Sequence, residues 1–263
     1  MTPTGAPSPA GPLQAPPDVA GILFHEILDR PFLGLPSRHL VFFVLAGLVV
    51  IALARLALRG YRRGIPRGFA VAVEGLVLFV RDEIALKMIG EQGPRFTPLL
   101  LSFFFFILVA ALLGLLPFAA ISTGNLAVTM GLAAVSLGAQ QWAGISTHGL
   151  RGHLRRLVPP GLPVWLLPIM VPVEVLGIFT KPFALMVRLF ANMLAGHMVV
   201  TTLLLLIPLL ASIRPLFGWA AAPVSLSLAL FIMVLEILVA FIQAYIFTLL
   251  TAIFIGLYAG SEH

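Results

Sequence analysis

The residues able to do chemistry are concentrated in one apolar stretch, Glu174 to His197, EVLGIFTKPFALMVRLFANMLAGH. Glu174, Lys181 and Arg188 follow one another at intervals of seven. On an α-helix at ~100° per residue, seven steps return to within about 20° of the start, so the three share a face. Asn192 lies one turn past Arg188, close to that face, and Gly177, Ala184, Ala191 and Ala195 fall on the same side. The pattern is a polar stripe floored with small residues on a helix otherwise built of Leu, Met, Phe and Val. His197 comes nine residues after Arg188 and points the opposite way, about 13 Å further along the axis.

Placing an arginine at the centre of a membrane helix costs ~2.5–3.5 kcal/mol even on lenient insertion scales. One reading is a snorkelling or structural ion pair. The other starts from the small-residue floor, which lets a neighbouring helix approach closely. A partner surface then slides past a fixed positive charge.

A second apolar stretch repeats the interval: Glu236 and Gln243 are seven apart and share a face. If the two stretches form an antiparallel hairpin folded about Leu216, residue 244 lies opposite Arg188 and residue 235 opposite His197. Gln243 then neighbours Arg188, and Glu236 neighbours His197. The His197–Glu236 combination is either a structural pair that fixes helix packing or a hydrated proton path, since carboxylate and imidazole both exchange protons readily. Arginine stays charged at any relevant pH, so its role is barrier and counter-charge.

The elements that must position these groups follow from composition. The 263 residues are 60% hydrophobic and 10% charged, with mean hydropathy +1.09. This excludes a soluble globular domain and predicts an all-α polytopic membrane protein, because backbone polar groups in lipid must be satisfied within the segment. The net charge of +6 comes from short basic loops that set topology, not from a nucleic-acid surface. Without cysteine there is no disulfide or thiol chemistry.

Residues 1–18, rich in Pro, Ala and Gly, read as a disordered leader, with no signal peptide. Residues 19–263 read as a single membrane domain, opening with a short interfacial helix at Val19–Asp29. Spans are predicted at 40–58, 96–117 and 125–142. Residues 69–89, with Glu74, Arg81, Asp82, Glu83 and Lys87, read as a cytoplasmic surface helix, the alternative being a span with polar contacts. The loop Gly144–Pro163 is basic, and His148 and His153 in it read as solvated. The segments 164–210 and 217–258 each far exceed the ~20 residues that cross a bilayer. Each either splits in two, Pro168, Pro172 and Pro182 offering kinks in the first, or is strongly tilted. The expected architecture is about five membrane-embedded helices plus a surface helix, the last two a long tilted antiparallel hairpin joined by a turn at Ser212–Gly218. The basic loop after the first span, with Arg59, Arg62, Arg63 and Arg67, puts the N-terminus outside and the C-terminus in the cytoplasm.

At these residues the chain resembles the a subunit of the membrane sector of rotary proton-driven ATP synthases. The resemblance rests on MVRLFANMLAGH at 186–197, EILVAFIQAYIFTLLTAIFIGLY at 236–258, RDEI at 81–84 and STGNLAVTM at 122–130. It covers residues 20 to 263. It implies that Arg188 faces a ring of c subunits and keeps two aqueous half-channels apart, with Asn192 and Gln243 as its polar neighbours. It implies an external relay of His197 and Glu236, a cytoplasmic path at Glu174 and an external entrance near Asn125. Many bacterial members carry Glu at the position of His197 and His at that of Glu236. The exchanged pair is similar to the mitochondrial and alphaproteobacterial branch. The implied partners are the c ring, the b and b' stalk subunits, the soluble catalytic sector and the lipid bilayer, in a bacterial inner membrane. The resemblance also implies tilted final helices, which would account for their length.

No Gly-rich loop of P-loop spacing occurs, so the catalytic nucleotide site is expected on another chain, and no cofactor or metal is expected here. The coupling ion is set by the ring's carboxylate site, also on another chain. A secondary ion transporter is the alternative class, although the internal repeat that many such folds show is not evident. A purely structural membrane anchor would account for a tilted hairpin but not for its charges.

Overall fold

The computed structural model describes residues 38–62, 68–115, 126–156 and 167–259. The leader, the Val19–Asp29 segment, Asn125 with its loop, and the Pro-rich stretch 157–163 lie outside these. Among the described residues the chain is helical but for isolated residues such as Gly68, Leu115 and Arg214, and it has no strand. Three stretches are long and apolar enough to cross a membrane, Ala70–Gly114, Pro168–Ile213 and Pro215–Ala259, with a shorter apolar helix at Val41–Leu56. Two compact units can be separated.

The larger unit takes in residues 29–195 and 236–263. It begins with α1 (Arg38–Arg62) and α2 (Phe69–Leu78). A π-helical stretch, Phe79–Leu86, follows, then a single turn, α3 (Lys87–Ile89), a 3-10 turn at Gly90–Gln92 and α4 (Gly93–Gly114). The apolar stretch 70–114 is therefore not one straight helix. Gly90 takes φ 78, ψ −141, a conformation open essentially to glycine alone, and the chain turns there. Buried positions Val80, Ile84, Ala85 and Ile89 recur every four to five residues, and the wide i→i+5 turn keeps that slower period on one face. They pack with Phe96, Leu100, Phe103, Phe104 and Ile107 of α4. The charges fall on the other side: Arg81 pairs with Asp82 at 2.7 Å, and Lys87 pairs with Glu83 one turn away. Helix α1 docks on α4 through Ala46 against Val109 and Ala110, and Phe43 meets Phe106 edge-on at 5.1 Å.

Helix α5 (Leu126–Arg156) runs well past Trp142, through most of the stretch the sequence reads as loop. Gly149, at φ 68, ψ 167, breaks it and turns the chain back. His153 is consequently not a solvated loop residue. It is only 5% exposed and shares a hydrogen bond with Gln141, Nε2 to Oε1, at 2.7 Å.

The last two helices, α6 (Leu167–Ile213) and α7 (Pro215–Ala259), have 47 and 45 residues. Neither splits in two. Helix α6 continues through Pro172 and Pro182, and α7 through Pro223. Their ends 167–195 and 236–259 complete the core of the larger unit, with Leu185 and Leu189 of α6 and Ala244, Phe247 and Ile255 of α7. Gly256 is there because the Met88 carbonyl oxygen lies 2.2 Å from where a Cβ would stand.

The smaller unit holds residues 196–235 and contains the turn between α6 and α7. The turn is tighter than the predicted Ser212–Gly218: Arg214 alone is non-helical. Its N–H donates to Leu210 O at 3.2 Å, and Phe217 N–H donates to Arg214 O at 3.0 Å. Pro215, lacking an N–H, opens α7 at the position that suits it. A Cβ on Gly218 would fall 2.5 Å from Ala211 Cβ, so glycine there is what lets the arms close on so short a connection.

Candidate functional site

Helix α6 has two faces in the larger unit. Leu185, Met186 and Leu189 are buried. Thr180, Ala184, Arg188, Ala191, Asn192 and Ala195 are exposed. The small-residue stripe expected from the periodicity is thus an outward face, and Arg188 stands on it. Among the described residues no carboxylate comes within ion-pair distance of its guanidinium. An unpaired, permanently charged side chain on an apolar outward face is costly in lipid. Flanking alanines clear the space around it.

One turn along, Asn192 Nδ2 donates to Gln243 Oε1 at 3.0 Å. Gln243 is 3% exposed, so this contact satisfies a buried amide across the two helices. It also corrects the hairpin register. Folding about Leu216 puts residue 240 opposite Asn192; the structure puts Gln243 there, three residues further on. Lys181 agrees with the corrected register, its Nζ lying 5.4 Å from the Phe254 ring centroid. Lys181 also breaks the predicted stripe. Its ammonium turns in, half-buried, over the rings of Phe254 and Tyr258, while Arg188 turns out. A straight helix drifts only about 20° per seven residues, so the two Cα–Cβ bonds still share a side, and it is the four-carbon stem of Lys181 that carries its ammonium inward.

Glu174 is half-buried on α6. His197 belongs to the smaller unit and Glu236 to the larger; both are half-buried and engaged within the chain. Asn125 lies outside the described residues. A further polar line went unnoticed in the sequence. Gln140 Nε2 donates to Ser136 Oγ at 3.1 Å, and Ser136 Oγ shares a hydrogen bond with Thr251 Oγ1 at 2.9 Å. All three are buried. The i, i+4 spacing of Ser136 and Gln140 on one face of α5 was the available signal. No cluster of His, Asp and Glu suited to a metal ion is present among the described residues.

The family model described as ATP synthase A chain matches residues 40–256. The chain belongs to that family. It is 51% identical over 232 residues to ATP synthase subunit a of Myxococcus xanthus, covering 86% of this chain and 74% of that one. The subunit a of Anaeromyxobacter dehalogenans is 48% identical over 87% of this chain, which spans 58% of that longer relative. That of Chloroherpeton thalassium is 46% identical, covering 86% and 67%. The chain is accordingly a multi-pass membrane protein, the proton-channel stator subunit of an ATP synthase. The family model spans both ionisable stretches, Glu174–His197 and Glu236–Gln243.

Proposed function

We propose that Arg188 is the charge barrier between two offset half-channels, and that a ring of carboxylate-bearing c subunits moves past the outward face of α6. The observation that carries this reading is the unpaired exposure of Arg188 between Ala184, Ala191 and Ala195. A guanidinium without a partner among the described residues is available to an external carboxylate, and the alanines let that carboxylate's helix come close. A deprotonated carboxylate is held there as an ion pair. A protonated one gains nothing from the charge and leaves through lipid.

In this reading protons enter from outside along Glu236 and His197, with Asn125 near the mouth. They reach the ring, neutralise its carboxylates, and leave to the cytoplasm past Glu174. Asn192 and Gln243 hold the wall beside Arg188. The drive is ~2.3 kcal/mol per charge per 100 mV, so several protons pass for each ATP made. The chain supplies no catalytic site; the nucleotide chemistry belongs to the soluble sector. The b and b' stalk subunits hold the stator, in a bacterial inner membrane with the N-terminus outside and the C-terminus in the cytoplasm.

The test is Arg188→Ala in reconstituted vesicles. ATP-driven acidification is expected to vanish while the complex still assembles and hydrolyses ATP. Retained pumping in that variant would sink the reading.

A further inference from the structure

The end of α7 and the kinked end of α5 enclose polar groups that the route above does not use. Tyr258 is 7% exposed. The His153 imidazole meets its ring edge-on, centroids 5.5 Å apart, and Lys181 Nζ lies 5.7 Å from the ring centroid. Glu174 lies two turns before Lys181 on α6. His153 Nε2 in turn faces Gln141 Oε1. Yet Tyr258 Oη, Gln141 Nε2 and His148 Nε2 are all shut away with no hydrogen-bond partner among the described residues.

Buried polar atoms are almost always satisfied by protein or by ordered water. Three unsatisfied ones around a single helix kink call for water, because one water supplies both donors and acceptors to groups that cannot reach each other. The surroundings hold the ring in place. The cation on the aromatic face and the imidazole at its edge leave the hydroxyl little freedom to turn elsewhere. Gln141 Oε1 can only accept, so the neutral His153 ring carries its proton on Nε2 and its lone pair on Nδ1. Nδ1 lies 2.2 Å from where a Cβ on Gly144 would stand, so only glycine at 144 admits the ring.

We propose that Tyr258, His153 and Gln141 line a water-filled chamber, and that Tyr258 is a positioning residue whose hydroxyl holds the water through which protons pass from Glu174 to His153. The inference rests on the reading of Glu174 as the cytoplasmic acid. One proton moves at each step. The Glu174 carboxyl gives it up, water carries it, Nδ1 takes it to form the imidazolium, and the imidazolium returns it to bulk water.

Tyr258→Phe removes the hydroxyl and keeps the ring. Passive proton conduction per assembled complex is expected to fall severalfold, with a larger solvent deuterium isotope effect. A purely structural role would change the amount of complex and leave both quantities alone. Gly144→Ala, which pushes the imidazole aside, is expected to lower conduction in the same way. Hydration is read separately. The chain has no cysteine, so Gln141→Cys in the intact complex is expected to react with silver ion. Wild-type conduction and isotope effect in Tyr258→Phe, or an unreactive Cys at position 141, would overturn the chamber. Arg188→Ala in the same vesicles separates the two ideas. Lost pumping there beside normal conduction in Tyr258→Phe removes only the chamber, whereas retained pumping removes the reading beneath it.

Discussion

In the proposed function, Arg188 and its amide neighbours divide the work between a charge and two dipoles. Arg188→Lys keeps the charge but loses the planar fork that grips a carboxylate through two bonds. Coupled ATP synthesis is expected to drop close to the Arg188→Ala level, measured with inverted vesicles. Asn192→Ala acts differently. It strands the buried Gln243 carbonyl, at a cost of about 1–3 kcal/mol. The expected result is a lower thermal midpoint of the complex, recovered when Gln243→Leu is added, without recovery of coupling. Much at this scale was legible beforehand. The seven-residue interval and the alanines between the charges located Arg188 and its face. Lys181 was misassigned because periodicity gives the direction of a Cα–Cβ bond, and a four-carbon stem can bend away from it. His153 was misread because its burial depends on a reversal at Gly149, several residues off, that no local pattern signals.

At the level of elements, the single-residue turn and the π-helical stretch are two departures from regular expectation. Gly218→Leu is expected to force the arms of the turn apart and lower the yield of assembled complex, judged by native electrophoresis. Gly218→Ala is the milder case, and Ala211→Gly beside it should restore the yield, because the clash is between those two positions. Gly90→Ala should destabilise by about 1–3 kcal/mol, the usual cost of forcing a side chain into a glycine-only conformation. The helices themselves were readable from hydropathy and length. The three-residue register shift was not, because it does not follow from the turn: folding about Arg214 would bring residue 236, not Gln243, opposite Asn192, and hydropathy says nothing of how two helices slide along each other. The π-helical stretch was not readable either. Its charges suggested an amphipathic surface helix, while its slower apolar period becomes visible only once α4 is seen beside it.

For the molecule as a whole, the distribution of arginines makes the orientation testable. With no native cysteine to interfere, Arg59→Cys is expected to react with a membrane-impermeant thiol reagent from the cytoplasmic face only. Arg214→Cys, at the turn between α6 and α7, is expected to react from the outer face only. Labelling of both from one side would reverse or refute the topology drawn from the positive-inside rule.

The Asn192–Gln243 contact has a further consequence. Neither amide gains or loses a proton at any pH a cell meets, and the neighbouring guanidinium keeps its own throughout. In the proposed machine the partition between an acidic reservoir and an alkaline one is made of groups indifferent to acidity. Its insulation should hold whether the gradient is steep or nearly spent.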